Sequence, residues 1–166
     1  PAVPLTLNAQ VAVRAENGAY SQLANGRFVF TAHLRPVGEH KQDFVAVAEM
    51  FRHVPYYWGG KSVQGLDCSG LVQLSLEACG LSALRDSDMQ ERTLGEQLMV
   101  NDLDALRRGD LVFWSGHVGI MTDDRTLLHA VGKAGHHGAR QRRGRRTARL
   151  VGHVQFVERR LDRHES

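Results

Sequence analysis

The sequence predicts an α+β fold, with helices first and an antiparallel sheet after them. Two observations support this order. Apolar residues recur at helical spacing between positions 43 and 81, and they alternate at strand spacing between positions 110 and 131. The chain has 166 residues, of which 42% are hydrophobic, and this suffices for a domain with a real core.

A small β unit is predicted before the helices. Asn17-Gly18 and Asn25-Gly26 are typical of hairpin turns, and short alternating segments flank them. So few residues cannot close a full β-barrel, so the unit either packs on the rest of the chain or is part of a larger one. We therefore divide the chain into a β segment with its linker, residues 1–38, and a main domain, residues 39–166. The predicted strands of the β segment lie at 5–7, 11–13, 20–23 and 27–30.

Three helices and a sheet follow the linker. Asp43 can cap a first helix that extends to about Arg52, and Asp67 or Ser69 can cap a second helix that Gly80 ends. A core-facing stripe on the first helix has the spacing i, i+4, i+7: Phe44, Ala48 and Phe51. A third, shorter helix is predicted over 86–98, and strands are predicted at 110–114, 117–121, 126–131 and 150–157.

The two cysteines, Cys68 and Cys79, both fall on the second predicted helix. Their separation of eleven positions corresponds to about 16 Å, whereas a disulfide needs Cα atoms within about 7 Å. Two unpaired thiols favour a reducing compartment or a functional thiol. No apolar run approaches the roughly 20 residues of a membrane span, and no signal peptide is visible. We therefore expect a cytoplasmic rather than a secreted protein.

One segment dominates the net charge of +3. Residues 133–149 hold seven Lys and Arg and no acid, so the rest of the chain carries a net charge of −4. A solvated loop is the plain interpretation, and contact with an anionic polymer is the sharper one. Nucleic-acid binding is not expected, because the chain has no binding motif and no interleaved aromatic residues.

Cys68 is the candidate nucleophile. It lies in Gly65-Leu66-Asp67-Cys68-Ser69-Gly70-Leu71-Val72, at the start of the second predicted helix, where free N–H groups favour a thiolate. The plain alternative is a small buried core residue. That alternative suits Cys79 better, since Cys79 lies in mid-helix among apolar residues.

His117 and His129 are the candidate general base and the residue that orients it. They lie on successive predicted strands, and a turn centred on Asp123 would place the two imidazoles directly opposite on one face. A helix-borne thiol beside such a pair has the arrangement of a catalytic triad. One Cys and two His could instead ligate zinc, but their spacing does not match the short pairs of structural zinc sites. We therefore expect no metal and no cofactor.

Four sequence motifs, in their order along the chain, resemble those of the NlpC/P60 cysteine peptidases, and the resemblance covers about residues 42–131. The resemblance implies a papain-like α+β fold and hydrolysis of stem-peptide bonds in bacterial peptidoglycan, typically the γ-D-glutamyl–diamino-acid bond. It implies that Cys68 is the nucleophile, that His117 takes its proton and that His129 orients the base. It also implies that Tyr56 lies near the oxyanion hole. The motifs are Pro55-Tyr56-Tyr57-Trp58-Gly59-Gly60, Leu66-Asp67-Cys68-Ser69-Gly70-Leu71-Val72, Arg108-Gly109-Asp110-Leu111-Val112-Phe113-Trp114, and Gly116-His117-Val118-Gly119-Ile120 with Leu128-His129-Ala130.

A finer resemblance concerns the substrate. The segment Arg85-Asp86-Ser87-Asp88-Met89-Gln90 is similar to one in members that carry an N-terminal bacterial SH3-like domain, and residues 5–36 resemble only the tail of such a domain. In those members acidic and hydroxyl groups bind the free amine of an N-terminal L-Ala. Helix capping is the competing explanation for these groups. The amine site would imply recycling of released muropeptides, and the residues that would form it here are Asp67, Ser69, Asp86 and Ser87.

Two other functions stay open at this point. An amidase or acyltransferase can use the same Cys-His-His scaffold. A module without catalytic activity can bind the cell wall through the β segment and the basic segment. The expected partners are peptidoglycan-derived peptides, and the sequence does not indicate an oligomeric state.

Overall fold

The computed structural model describes residues 4–97 and 106–132 and the backbone of residues 149–152. Within them, three α-helices and ten strands form an α+β arrangement with three antiparallel sheets. The sheets have the strand orders β1-β2-β3, β4-β5 and β6-β10-β7-β8-β9. The elements are β1 Val13–Asn17, β2 Tyr20–Leu23, β3 Phe28–Phe30, α1 Phe44–Glu49, β4 Lys61–Ser62, β5 Gly65–Leu66, α2 Cys68–Ala78, α3 Ser87–Thr93, β6 Glu96–Gln97, β7 Leu111–Trp114, β8 His117–Met121, β9 Leu127–Leu128 and β10 Arg149–Gly152.

The N-terminal sheet confirms both predicted hairpin turns. Gly18 and Gly26 have φ angles of 60° and 79°, in the region that glycine adopts without strain. The predicted strand at residues 5–7 is wrong, and the strand predicted at 11–13 overlaps the observed β1 only at Val13. Asn8 explains this, because its side-chain amide donates to the carbonyl of Leu74 at 3.0 Å and so fixes the segment against α2. The assignment of residues 1–38 to a partial SH3-like unit stays a prediction.

The core lies between α1, α2 and the sheet strand β8. Asp43 caps α1 as predicted, since its Oδ1 accepts hydrogen bonds from the N–H groups of Val45 and Ala46. The predicted stripe is buried in the core, together with four apolar residues of α2: Phe44, Ala48, Phe51, Leu71, Val72, Leu74 and Leu76. Both cysteines are free and buried. No helix of the described part of the chain has the length and apolar character needed to cross a membrane.

Three predicted elements are too long. The first helix ends at Glu49 rather than near Arg52. The third helix ends at Thr93 rather than 98, because Leu94 is already extended, with a ψ of 133°, and Gly95 then turns the chain with a φ of 62°. The strand predicted over 126–131 forms only as β9, Leu127–Leu128. Residue 98, residues 153–157 of the last predicted strand and most of the basic segment 133–149 lie outside the described residues.

The register between β8 and β9 differs from the predicted one. Ile120 pairs with Leu128, so the turn is centred on Asp124 and His129 lies diagonally across from His117. Asp123 sets this turn, since its Oδ1 accepts hydrogen bonds from the N–H groups of Arg125 and Thr126, at 2.8 and 2.6 Å. The shift amounts to two residues, so it keeps both histidines on the same face of the sheet.

Candidate active site

Cys68 is the first residue of α2, and Asp67 forms the N-cap. The Asp67 Oδ1 accepts a hydrogen bond from the N–H of Gly70 at 2.7 Å, so the helix begins just where the thiol sits. Burial raises the pKa of the Cys68 thiol, and the negative charge of Asp67 acts in the same direction. Hydrogen bonds from the N–H groups of Val118 and Ser69 oppose this increase without cancelling it. The resting thiol is therefore protonated, although the helix N-terminus alone would favour a thiolate.

The thiol faces strand β8, which carries His117. The N–H that bonds the thiol belongs to Val118, the residue after His117, and α2 packs directly on β8. Gly119 follows on the same strand, and a Cβ there would lie 2.9 Å from the side chain of Leu127. Glycine thus lets β9 approach β8 closely. The predicted helix-borne thiol and strand-borne imidazole are brought together.

His117 and His129 form a hydrogen-bonded pair. The His117 Nε2 lies 2.9 Å from the His129 Nδ1, and both side chains are half-buried. Burial lowers the pKa of His117 to about 4, with a further contribution from the neighbouring His129. Burial also lowers the pKa of His129. Both imidazoles are therefore neutral at pH 7, as a proton acceptor must be before it acts.

Tyr56 lies near the thiol. It forms an isolated parallel bridge with Leu66, two residues before Cys68. Burial raises the pKa of its phenol, and the charges of Cys68 and Asp67 raise it further. Tyr56 thus keeps its proton and can donate a hydrogen bond. Gly132 makes room for the ring, since a Cβ at that position would come within 3.1 Å of it.

Arg85 is a site residue that the sequence did not single out. Its guanidinium donates to Asp67 Oδ1 at 2.9 Å and Oδ2 at 2.7 Å, to the Ser69 hydroxyl at 3.0 Å and to the Gly60 carbonyl at 3.3 Å. Burial opposes ionisation of Asp67, but the Arg85 hydrogen bonds and those of the Gly70 and Gly59 N–H groups outweigh it and lower the pKa of Asp67. The only feature of the sequence that pointed to Arg85 was its position at the start of the segment 85–90.

The four predicted amine-binding residues divide into two pairs. Asp67 and Ser69 are buried and are both engaged by Arg85. Asp86 and Ser87 begin α3, where Asp86 is exposed and its side chain makes no capping hydrogen bond. Helix capping therefore accounts for Asp67 and not for Asp86.

Gln90 was also missed, because a polar residue in a short helix gives no functional pattern. Its side chain is fully buried, and its Nε2 donates to the carbonyls of Ser69 and Leu84, at 3.0 and 2.8 Å. These bonds hold α3 against the first turn of α2. In the described part of the chain, no group of three or more His, Cys, Asp and Glu is arranged to hold a metal ion.

A half-buried imidazole pair beside a helix-borne thiol, on helices packed against an antiparallel sheet, is the arrangement of papain-like cysteine peptidases. The model of the NlpC/P60 family matches residues 53–154, and the chain belongs to that family.

Two curated relatives are similar over most of this chain. Dipeptidyl-peptidase 6 of Lysinibacillus sphaericus is 32% identical over 119 residues, which is 66% of this chain and 43% of that protein. The γ-D-glutamyl-L-lysine dipeptidyl-peptidase of Bacillus subtilis is 31% identical over 131 residues, 71% of this chain and 43% of the relative. This chain thus spans less than half the length of these relatives.

The fold has a counterpart among solved structures. The crystal structure of an NlpC/P60 family protein from Bacillus cereus superposes with a TM-score of 0.56 at 24% identity, over 75% of this chain and 46% of that one. This likeness supports the papain-like α+β fold predicted from the sequence.

Proposed function

We propose that this chain is a cysteine endopeptidase that hydrolyses peptidoglycan stem peptides at the γ-D-glutamyl–diamino-acid bond. The observation that carries the proposal is the 2.9 Å contact between His117 Nε2 and His129 Nδ1 beside the buried Cys68. The relatives that are named for γ-D-glutamyl-L-lysine cleavage support the bond class.

The hydrogen bond between the histidines determines which nitrogen acts. Since Nε2 of His117 is engaged by His129, Nδ1 is the atom that takes the thiol proton. The Nε2–H then donates to Nδ1 of His129, which fixes the tautomer and the ring plane of the base. The Cys68 thiolate attacks the scissile carbonyl, and the protonated His117 returns the proton to the leaving amine. Water then hydrolyses the thioester.

We infer that Tyr56 stabilises the oxyanion. Its raised pKa keeps the phenol protonated, so the O–H can donate to the developing negative charge. The carboxylate of Asp67 would repel such a charge, and its pairing with Arg85 reduces that repulsion. The proposed site thus combines His117 as a neutral base, Tyr56 as a hydrogen-bond donor, and a carboxylate whose charge Arg85 compensates.

We propose further that the substrate carries a free N-terminal L-Ala, as in muropeptides released from the wall. We assign the ammonium contact to Asp86, because it is exposed at the start of α3 and its side chain makes no capping hydrogen bond. Ser87 and Ser69 are hydroxyl groups of the same neighbourhood. Asp67 contributes through Arg85 instead, because both of its oxygens are occupied.

Mass spectrometry of the products from L-Ala-γ-D-Glu-diaminopimelate tests the proposal. We expect two fragments, L-Ala-D-Glu and diaminopimelate, and much slower cleavage when the N-terminus is acetylated. Equal cleavage of both peptides would remove the free-amine requirement and leave the peptidase. Intact peptide together with transfer of acyl groups from a lipid or thioester donor would instead establish an acyltransferase and overturn the proposal.

A further inference from the structure

Trp114 packs against both imidazoles of the site. It is the last residue of β7 and the register partner of His117 across the β7–β8 hairpin. Its ring centroid lies 4.6 Å from that of His117, at an interplanar angle of 42°, and 5.6 Å from that of His129, at 65°. The two imidazoles are themselves perpendicular, at 84°. The three rings form one cluster.

The reaction places a positive charge inside this cluster. When Cys68 loses its S–H proton to His117, a thiolate and an imidazolium form from two neutral groups. Burial disfavours both charged groups, as it lowers the pKa of His117 and raises that of Cys68. Something must therefore stabilise the imidazolium while the thiolate forms.

The groups that face His117 are few in the described part of the chain. From α2 it is the carboxylate of Asp67, and Arg85 already pairs with that carboxylate. From the end of β9 it is His129, whose Nδ1 lies 2.9 Å from Nε2 of His117 and whose charge lowers the pKa of His117 further. From β7 it is the indole of Trp114, whose π-electrons attract a cation within about 6 Å of the ring centroid.

We propose that Trp114 is a positioning residue that holds the His117–His129 pair in place and stabilises the imidazolium form of His117 through its π-face. The inference rests on the proposed role of His117 as the base. It assigns no contact between Trp114 and the substrate. Phenylalanine would retain part of the effect, since its ring attracts cations more weakly than indole, and leucine would retain only the packing.

The test measures the alkylation rate of Cys68 by iodoacetamide against pH. Cys79→Ala is the parent, so that one thiol remains, and Trp114→Phe and Trp114→Leu are compared with it. We expect Trp114→Leu to slow alkylation about tenfold near pH 7, as a cation–π contribution of a desolvated ring implies, and Trp114→Phe to slow it about threefold. Above the pKa of the thiol the three rates should converge, because the thiolate then forms without the imidazolium.

A Trp114→Leu profile that coincides with the parent would overturn the inference. So would a loss of rate that is equal at every pH, because a loss of packing alone would have that result. Alkylation requires no peptide, so its outcome is independent of whether the proposed substrate is cleaved.

A second measurement keeps Trp114 in place and covers the case in which its variants fail to fold. The chain has two tryptophans, so Trp58→Phe leaves Trp114 as the only indole fluorophore. A protonated imidazole in contact with indole quenches its emission. We expect the emission to fall as the pH is lowered toward 4, and His117→Gln to remove most of that change. A constant emission over this range, while circular dichroism shows the folded state, would contradict the inference.

Discussion

Arg85 donates hydrogen bonds to both carboxylate oxygens of Asp67, the residue directly before the candidate nucleophile. Without Arg85, the nearly buried carboxylate of Asp67 would carry an uncompensated negative charge beside a thiol that must ionise. The same guanidinium reaches the carbonyl of Gly60 and the hydroxyl of Ser69. One side chain therefore ties the segment before α3 to the loop and helix that present Cys68.

Arg85→Met is expected to raise the pKa of the Cys68 thiol, because Asp67 would lose its compensating charge. We expect alkylation near pH 7 to slow by roughly fivefold, as for a unit charge several ångströms away in a partly solvated site. Stability should fall by roughly 1–3 kcal/mol, less than for a fully buried pair, since Arg85 is about one third exposed.

A double-mutant cycle identifies the charge as the cause of this effect. Asp67→Asn keeps the helix cap but removes the negative charge, so adding it to Arg85→Met should restore most of the alkylation rate. A double variant that remains as slow as Arg85→Met would show that Arg85 acts through loop geometry instead.

Stability is expected to fall as the pH is lowered from about 6.5 to about 4. The unfolded state binds a proton to His117 near its ordinary pKa of 6.5, whereas the folded state does so only near 4. Protons therefore favour unfolding within this window, by at most about 3 kcal/mol for this group. Asp67 adds a further loss below its ordinary pKa of 3.8, because its carboxylate is stabilised in the fold.

Urea unfolding at pH 7 and pH 4.5 measures this effect, with His117→Gln as the comparison. The variant should lose clearly less stability than the parent between the two pH values, since it has no imidazole to protonate. The same pH dependence in both proteins would show that His117 titrates normally in the folded state.

Asp86→Asn is expected to reduce kcat/KM for the peptide with a free N-terminus by about tenfold to a hundredfold, the range for loss of a charge-assisted hydrogen bond. Asp88→Asn is the matched control. Asp88 is also exposed, in the first turn of α3, but it pairs with Arg92 at 2.7 Å. Equal effects of the two substitutions would indicate a general change in helix charge and would refute the role of Asp86.

Gly70→Ala is expected to destabilise the fold by about 2 kcal/mol, although alanine favours helices over glycine by about 1 kcal/mol. A Cβ on Gly70 would lie 2.6 Å from the backbone carbonyl of Gly60, in the loop beside the thiol. Gly119→Ala is the comparison, since the three atoms nearest to its Cβ would all belong to the movable side chain of Leu127. Thermal unfolding of the two variants should show the larger loss for Gly70→Ala. A larger loss for Gly119→Ala would show that the loop around Gly60 moves at little cost to accommodate the added methyl group.

Local signals allowed much of the fold to be predicted. The Asp43 and Asp67 caps, the apolar stripe of α1 and the strands β7 and β8 all depend on residues close in the sequence, and the structure confirms them. The β8–β9 register was wrong because the side chain of Asp123, and not the length of the turn, decides where the chain reverses. Because the register shift is an even number of residues, both histidines nonetheless stayed on the same face of the sheet.

The two residues that support the site were hidden for a different reason. Arg85 and Gln90 act through long-range bonds to Asp67 and to the carbonyl of Ser69, and no periodic pattern marks such contacts. The burial of Cys68 could not be predicted from the sequence either. The sequence predicted a thiolate from the helix N-terminus, whereas in the folded chain the desolvation of Cys68 outweighs that contribution.

Hydrolysis of L-Ala-γ-D-Glu-diaminopimelate by the Cys68→Ala and Cys79→Ala variants tests the central claim most directly. Both cysteines are buried, but Cys68 is the first residue of α2, beside the N–H of Val118 on the strand that carries His117. We predict that Cys68→Ala loses activity by about 10⁴-fold or more, and that Cys79→Ala stays within about threefold of the parent. Peptide cleavage that survives in a folded Cys68→Ala variant would contradict the assignment of Cys68 as the nucleophile.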